Sequence, residues 1–144
     1  MLRSLMLALV ALFGAVVARA ETPETPEALM YKNPQCGCCE NYARYLRRNG
    51  FRVTVKETHN MSLISRENGV PEKLAGCHTM LIGGYVVEGH VPVGAINKLL
   101  KERPNIKGIS LPGMPDGSPG MTGEKTEPFT IYEISDEAKV FAVE

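Results

Sequence analysis

The chain is short of several things, and each shortage closes off a class of function. It has no net charge, with 16 basic and 16 acidic residues, and nothing in that balance suits nucleic acid or an acidic membrane surface. It has no apolar run of spanning length: Leu5 to Val17 is 13 residues, against roughly 20 for a helix that crosses a bilayer. No cysteine follows that run closely, which argues against lipid attachment there. No segment repeats, so the chain reads as one unit rather than an array.

The short apolar run has a function of its own. "MLRSLMLALVALFGAVVARA" carries a basic start at Arg3 and small residues at Ala18 and Ala20, the pattern of a cleaved secretory signal over residues 1–20. Cleavage after Ala20 removes Arg3 and Arg19 and leaves 124 residues with 14 basic and 16 acidic side chains, a formal charge of −2. That length suffices for one domain with a modest core. The expected location is the bacterial periplasm, with no stable membrane insertion once the signal is gone. Thiol pairs left unprotected there tend to oxidise, so cysteines kept in such a place need a reason.

Hydrophobic periodicity orders the rest. "ETPETPE", residues 21–27, is a polar lead expected to stay flexible. "ALMYKNP" reads as a strand. From Cys38 onward Cys39, Tyr42, Tyr45 and Leu46 fall on one helical face, with Arg47 and Arg48 favourable in the last turn and Gly50 as the stop. "FRVTVKE" alternates as a half-buried strand. A short helix over "NMSLISRENG" follows, then two strands joined at Gly83-Gly84, a pair suited to a tight primed turn. Pro92 opens a further amphipathic helix that ends before Pro104. Strand, helix, strand, helix, hairpin, helix is the element order of an α/β, thioredoxin-like fold over residues 28–104, an analogy of fold that proves no chemistry. Residues 105–144 read as a Gly/Pro/Met-rich loop, in which no central strand is expected, and a C-terminal β-hairpin turning at Ser135-Asp136-Glu137. Together they form an extension of the same domain.

The chemistry lies in four cysteines. Cys36 and Cys39 form a C-x-x-C at a helix start, where unpaired N–H groups and the dipole stabilise a thiolate. Cys38 stands between them, and a third thiol would compete in a simple dithiol exchange while enriching a sulfur donor set. Cys77-His78 precede the third strand, at the place where a thioredoxin-like topology faces the C-x-x-C and normally carries a cis-proline. The topology therefore gathers four sulfurs and one imidazole. Two structural disulfides, such as Cys36 with Cys39 and Cys38 with Cys77, are the alternative, although three cysteines in one turn are poorly spaced to staple distant segments.

Thiolate, thioether and imidazole donors suit Cu(I) and, as an alternative, zinc. The expected periplasmic setting and the thioethers of Met114 and Met121, candidate additional ligands in a polar loop, favour copper. Met30 and Met80, inside strands, read as core. His59 and His90 lack ligand spacing to the cysteines and read as structural.

With "CGCC", "GCHT" and "GMPDGSPGM", the chain resembles the CopG-type periplasmic copper-resistance proteins from about Ala28 to the C-terminal hairpin. The resemblance implies a thioredoxin-like, copper-binding protein with Cys36, Cys38, Cys39 and Cys77 as ligands and His78 beside them. Four thiolates exceed what one two-coordinate Cu(I) needs, which motivates a multinuclear cluster, with a change of copper oxidation state as a further expectation. Two other functions stay open: a thiol-disulfide oxidoreductase with Cys36 and Cys39 as its catalytic pair, and a chaperone delivering copper to a periplasmic oxidase or efflux partner.

Overall fold

The computed structural model describes residues 25–144. The signal expected over residues 1–20 and most of the polar lead lie outside them. Eleven elements follow: β1 (Glu27–Lys32), α1 (Gly37–Arg48), β2 (Arg52–Glu57), α2 (Met61–Glu67), a 3-10 turn (Glu72–Leu74), β3 (His78–Ile82), β4 (Tyr85–Gly89), α3 (Val93–Glu102), β5 (Gly108–Leu111), β6 (Thr130–Glu133) and β7 (Val140–Val143). The strands make one mixed sheet in the order β2-β1-β3-β4-β5-β6-β7. β1 runs parallel to β2 and β4 parallel to β5, and the remaining pairs are antiparallel. No helix among the described residues is long and apolar enough to cross a membrane.

Each face of the sheet buries its own apolar set. α1 contributes Tyr42, Ala43 and Leu46, and α3 contributes Ala95, Ile96 and Leu99, to a core that also holds Met30, Met80, Val87, Ile109 and Ile131. The i, i+3, i+4 spacing in both helices makes this stripe. A smaller cluster, Val70, Leu74, Val86 and Ile134, lies apart from it. Met30 and Met80 are fully buried, as their place inside strands implies. The primed turn forms at Gly83 and Gly84, whose φ values of 56° and 86° are open to glycine at little steric cost.

One expectation is corrected. Gly108–Leu111 is a central strand with all four residues buried, between β4 and β6. The sequence conceals it because "GISL" is only four residues long, opens on a glycine, and runs into Pro112. Gly108 is required by close approach: a Cβ there would lie 1.8 Å from the Val86 carbonyl oxygen. β5, β6 and β7 thus continue the sheet that β1 to β4 begin, and the C-terminal hairpin forms its outer edge. Glu27, assigned above to the flexible lead, opens β1.

Candidate metal centre

Two separate stretches of chain build the site. The first is the turn from β1 into α1. Cys36 sits at the helix N-cap with extended backbone (φ −81°, ψ 91°), and Cys38 and Cys39 lie in the first turn. The buried Lys32 ammonium steadies this corner: it contacts Glu40 Oε1 at 2.9 Å and Glu57 Oε1 at 3.2 Å and donates to the Asn33 and Pro34 carbonyls. Burial acts to lower the Lys32 pKa, yet the two carboxylates outweigh it and hold the value above that of a free lysine. The second stretch is the β3–β4 hairpin, which carries Cys77 and His78 at its entry and His90 just past its exit.

These stretches meet at the sulfurs. Cys36 and Cys39 are joined as a disulfide with Cα atoms 5.3 Å apart, while Cys38 and Cys77 are free and half-buried. The pairing of Cys38 with Cys77, offered above as part of a structural staple, does not form. Cys38 Sγ lies 3.5 Å from Cys36 Sγ, and Cys77 Sγ 3.5 Å from Cys39 Sγ. All four sulfurs lie within 4.8 Å of one another. Burial, followed by the neighbouring Cys38 charge, pushes the Cys77 thiol up to about 12, so Cys77 is protonated at neutral pH when no cation is near.

The reading of His90 as merely structural is corrected here. Its Nε2 lies 3.0 Å from Cys77 Sγ, and its Nδ1 lies 2.6 Å from the Pro119 carbonyl oxygen. A carbonyl only accepts, so Nδ1 carries the proton and Nε2 presents its lone pair to the sulfur. His78 Nδ1 approaches the same sulfur at 3.4 Å, and its Nε2 is buried without a hydrogen-bond partner. Cys77, His78 and His90 have donor atoms within 4.8 Å of one another. The His78 ring packs on Tyr42 with centroids 4.7 Å apart and on His90 at 5.0 Å. Burial, then the adjacent His90, lowers its pKa to about 3, so the imidazole stays neutral and able to ligate. Tyr42 is itself fixed by donating to the Val91 carbonyl at 2.8 Å.

The signal for His90 was present in the hairpin. With a two-residue turn, Ile82 pairs Tyr85 and Thr79 pairs Glu88. Continuing that register sets Cys77 opposite His90. His59 is exposed and belongs to no such group.

The Gly/Pro/Met segment returns to this corner. Pro119 receives the His90 hydrogen bond, and Asn41 Nδ2 donates to the Gly120 carbonyl at 3.3 Å. Gly120, with φ of 87°, packs so closely on α1 that a Cβ would lie 2.6 Å from Tyr42 N and 2.9 Å from Cys38 O. Met121 follows it, half-buried, whereas Met114 is exposed in a turn at φ 46°.

The donors fit a soft metal ion: sulfur predominates, two neutral imidazoles adjoin it, and one buried imidazole nitrogen is unpartnered. Four thiolates become available only when two electrons open the Cys36–Cys39 bridge. A family model described as "Protein of unknown function, DUF411" matches residues 74–121, which span Cys77, His78, His90 and the Gly/Pro/Met segment. Two solved structures are similar over most of the chain. "Copper resistance protein copG- Form 1" is 37% identical, covering 84% of this chain and 98% of its own, with a TM-score of 0.76. "Copper resistance protein copG- Form 2" is 36% identical, covering 83% and 96%, with a TM-score of 0.74. Among the curated proteins none matches.

Proposed function

The chain belongs to the CopG family of copper-resistance proteins, and from that premise we propose that it is an exported, periplasmic protein that takes up Cu(I) in copper resistance. Cys36, Cys38, Cys39 and Cys77 hold the copper as a multinuclear thiolate cluster, with His78 and His90 as imidazole donors on the Cys77 side and Met121 as an outer thioether. Met114, exposed in its turn, is the weaker thioether candidate. The observation that carries this reading is the gathering of four sulfurs within 4.8 Å of one another. The order β2-β1-β3-β4, with β1 parallel to β2 and the β3–β4 hairpin beside them, supports a thioredoxin-like unit over 28–104, with 105–144 as its extension.

The Cys36–Cys39 bridge adds redox chemistry to storage. When the two thiols face two Cu(II) ions, each ion gains one electron, the thiols lose two electrons and two protons, and the disulfide closes beside two Cu(I). The reverse opens the bridge at the expense of two Cu(I). Copper displaces the Cys77 proton to solvent, while His90, with its proton fixed on Nδ1 by the Pro119 carbonyl, keeps Nε2 free as a donor. The neutral pocket keeps both imidazoles available as donors.

Anaerobic Cu(I) titration of reduced mature protein tests the reading. More than one copper per chain is expected, with fewer in Cys38→Ser. Unchanged stoichiometry and affinity in that variant would remove the cluster. The same bridge at a helix N-terminus favours a second reading, a thiol-disulfide oxidoreductase. It predicts reduction of a protein disulfide by metal-free protein at a rate indifferent to copper.

A further inference from the structure

Glu88 is an acid in a place that suits none. It is fully buried on β4, a strand whose five residues are all buried, and an unpaired carboxylate in such surroundings costs several kcal/mol. Its Oε1 accepts from the Gly76 N–H at 2.8 Å and from Ser65 Oγ at 3.3 Å. Ser65 Oγ also lies 3.0 Å from Thr79 Oγ1. Oε2 has no partner. One carboxylate oxygen thus ties α2, through Ser65, to the residue that precedes Cys77.

The grip on Gly76 is reinforced by contact between backbones. A Cβ on Gly76 would lie 2.8 Å from Gly89 Cα, and one on Gly89 would lie 2.6 Å from the Leu111 carbonyl oxygen. Gly76 leads into Cys77 and Gly89 into His90, so this single contact sets how the two side chains meet. The strand ladder does not do so, since its last pair on this side is Thr79 with Glu88. Cys77 enters from a loop that needs its own anchor.

We propose that Glu88 is a positioning residue: by accepting the Gly76 N–H it clamps the Gly76–Cys77 turn onto Gly89 and so holds the Cys77 sulfur against Cys39 and His90. The proposal rests on the reading that Cys77 is a working member of the thiol cluster. It concerns geometry rather than charge, so a neutral side chain of the same shape, with an acceptor oxygen in the same place, must serve nearly as well.

A metal-free cross-linking assay tests it. In the mature Cys36→Ser/Cys38→Ser protein only Cys39 and Cys77 remain, a pair whose sulfurs lie 3.5 Å apart in the parent chain. A water-soluble azo oxidant accepts their two electrons and two protons and leaves a Cys39–Cys77 disulfide. The rate of its formation reports how firmly Cys77 is held. Glu88→Leu should slow cross-linking at least tenfold, and in the four-cysteine protein it should weaken Cu(I) affinity at least tenfold. Glu88→Gln should stay within threefold of the parent in both, and urea midpoints should identify loss of fold. Folded Glu88→Leu cross-linking at the parent rate would overturn the proposal, as would Glu88→Gln behaving like Glu88→Leu. If Glu88→Leu does not fold, Ser65→Ala decides: about threefold slowing is expected, and an unchanged rate is contrary. Should the parent chain bind no copper, the functional reading falls, while the cross-linking arm still judges the clamp.

Discussion

Acid should unfold the metal-free protein largely through His78. Unfolded, this imidazole binds a proton below 6.5; folded, it does so only below about 3. Between those values the unfolded chain holds the extra proton, so stability is complete above 6.5 and falls as pH drops toward 3. Each pH unit in that window contributes about 1.4 kcal/mol per group, which makes about 3 kcal/mol between pH 6.5 and pH 4. At a urea slope of about 1.5 kcal/mol/M for a domain of this size, the midpoint should fall by about 2 M. The comparison needs a variant because other groups titrate too. His90 is shifted downward by burial and adds to the loss, while buried Glu88 is shifted upward and opposes it. His78→Phe keeps a ring against Tyr42 and removes the proton site. Urea unfolding of oxidised, metal-free protein at pH 7 and pH 4 should therefore give a midpoint drop about 2 M smaller in His78→Phe than in the parent. Equal drops would refute the reasoning, because they would mean that His78 is solvated.

Alkali should act on Cys77 in the same manner. Its thiol ionises near 9 unfolded and near 12 folded, so protein with its Cys36–Cys39 bridge closed loses stability as pH rises from 9 toward 12. With the side chain partly solvated, about 2 kcal/mol is expected, and the loss should be absent from Cys77→Ser in urea titrations at pH 8 and pH 11. Tyr42→Phe leaves the Val91 carbonyl without its 2.8 Å donor and should cost about 1–3 kcal/mol; a midpoint within error of the parent would contradict the buried hydrogen bond. Gly120→Ala forces a Cβ onto the backbone of Tyr42 and Cys38 at φ 87°. It should cost roughly 2 kcal/mol or more and release residues 119–121 from α1, read as faster amide exchange at Asn41 and Tyr42; unchanged exchange would count against the packing.

The sequence carried the four-strand half of the sheet because its signals are local. Alternation marks "FRVTVKE", the glycine pair marks the hairpin, and the stripe through Tyr42 and Leu46 marks α1. The meeting of Cys77 with the Cys36–Cys39 turn was also legible, because it follows from element order. What escaped depended on register and burial. Gly108–Leu111 is only four residues long, so its Ile109-Ser110-Leu111 alternation is too brief to read, and its neighbouring Gly and Pro residues imitate a loop. His90 is thirteen residues from Cys77, and only counting across the Gly83-Gly84 turn pairs them. Glu88 looks like an exposed strand acid until Gly76 and Ser65 are found on its oxygen. The C-x-x-C spacing already marked Cys36 with Cys39 as a pair; that Cys38 and Cys77 are left free is decided by three-dimensional distances that the sequence does not carry.

X-ray absorption at the copper edge, on anaerobically loaded mature protein and on Cys77→Ser, tests most directly whether the two stretches of chain share one soft site. The parent should give a first shell dominated by sulfur with a copper–copper contribution, and Cys77→Ser should lose sulfur and the copper–copper feature together. A shell of nitrogen and oxygen in the parent, or an identical spectrum in the variant, would contradict it.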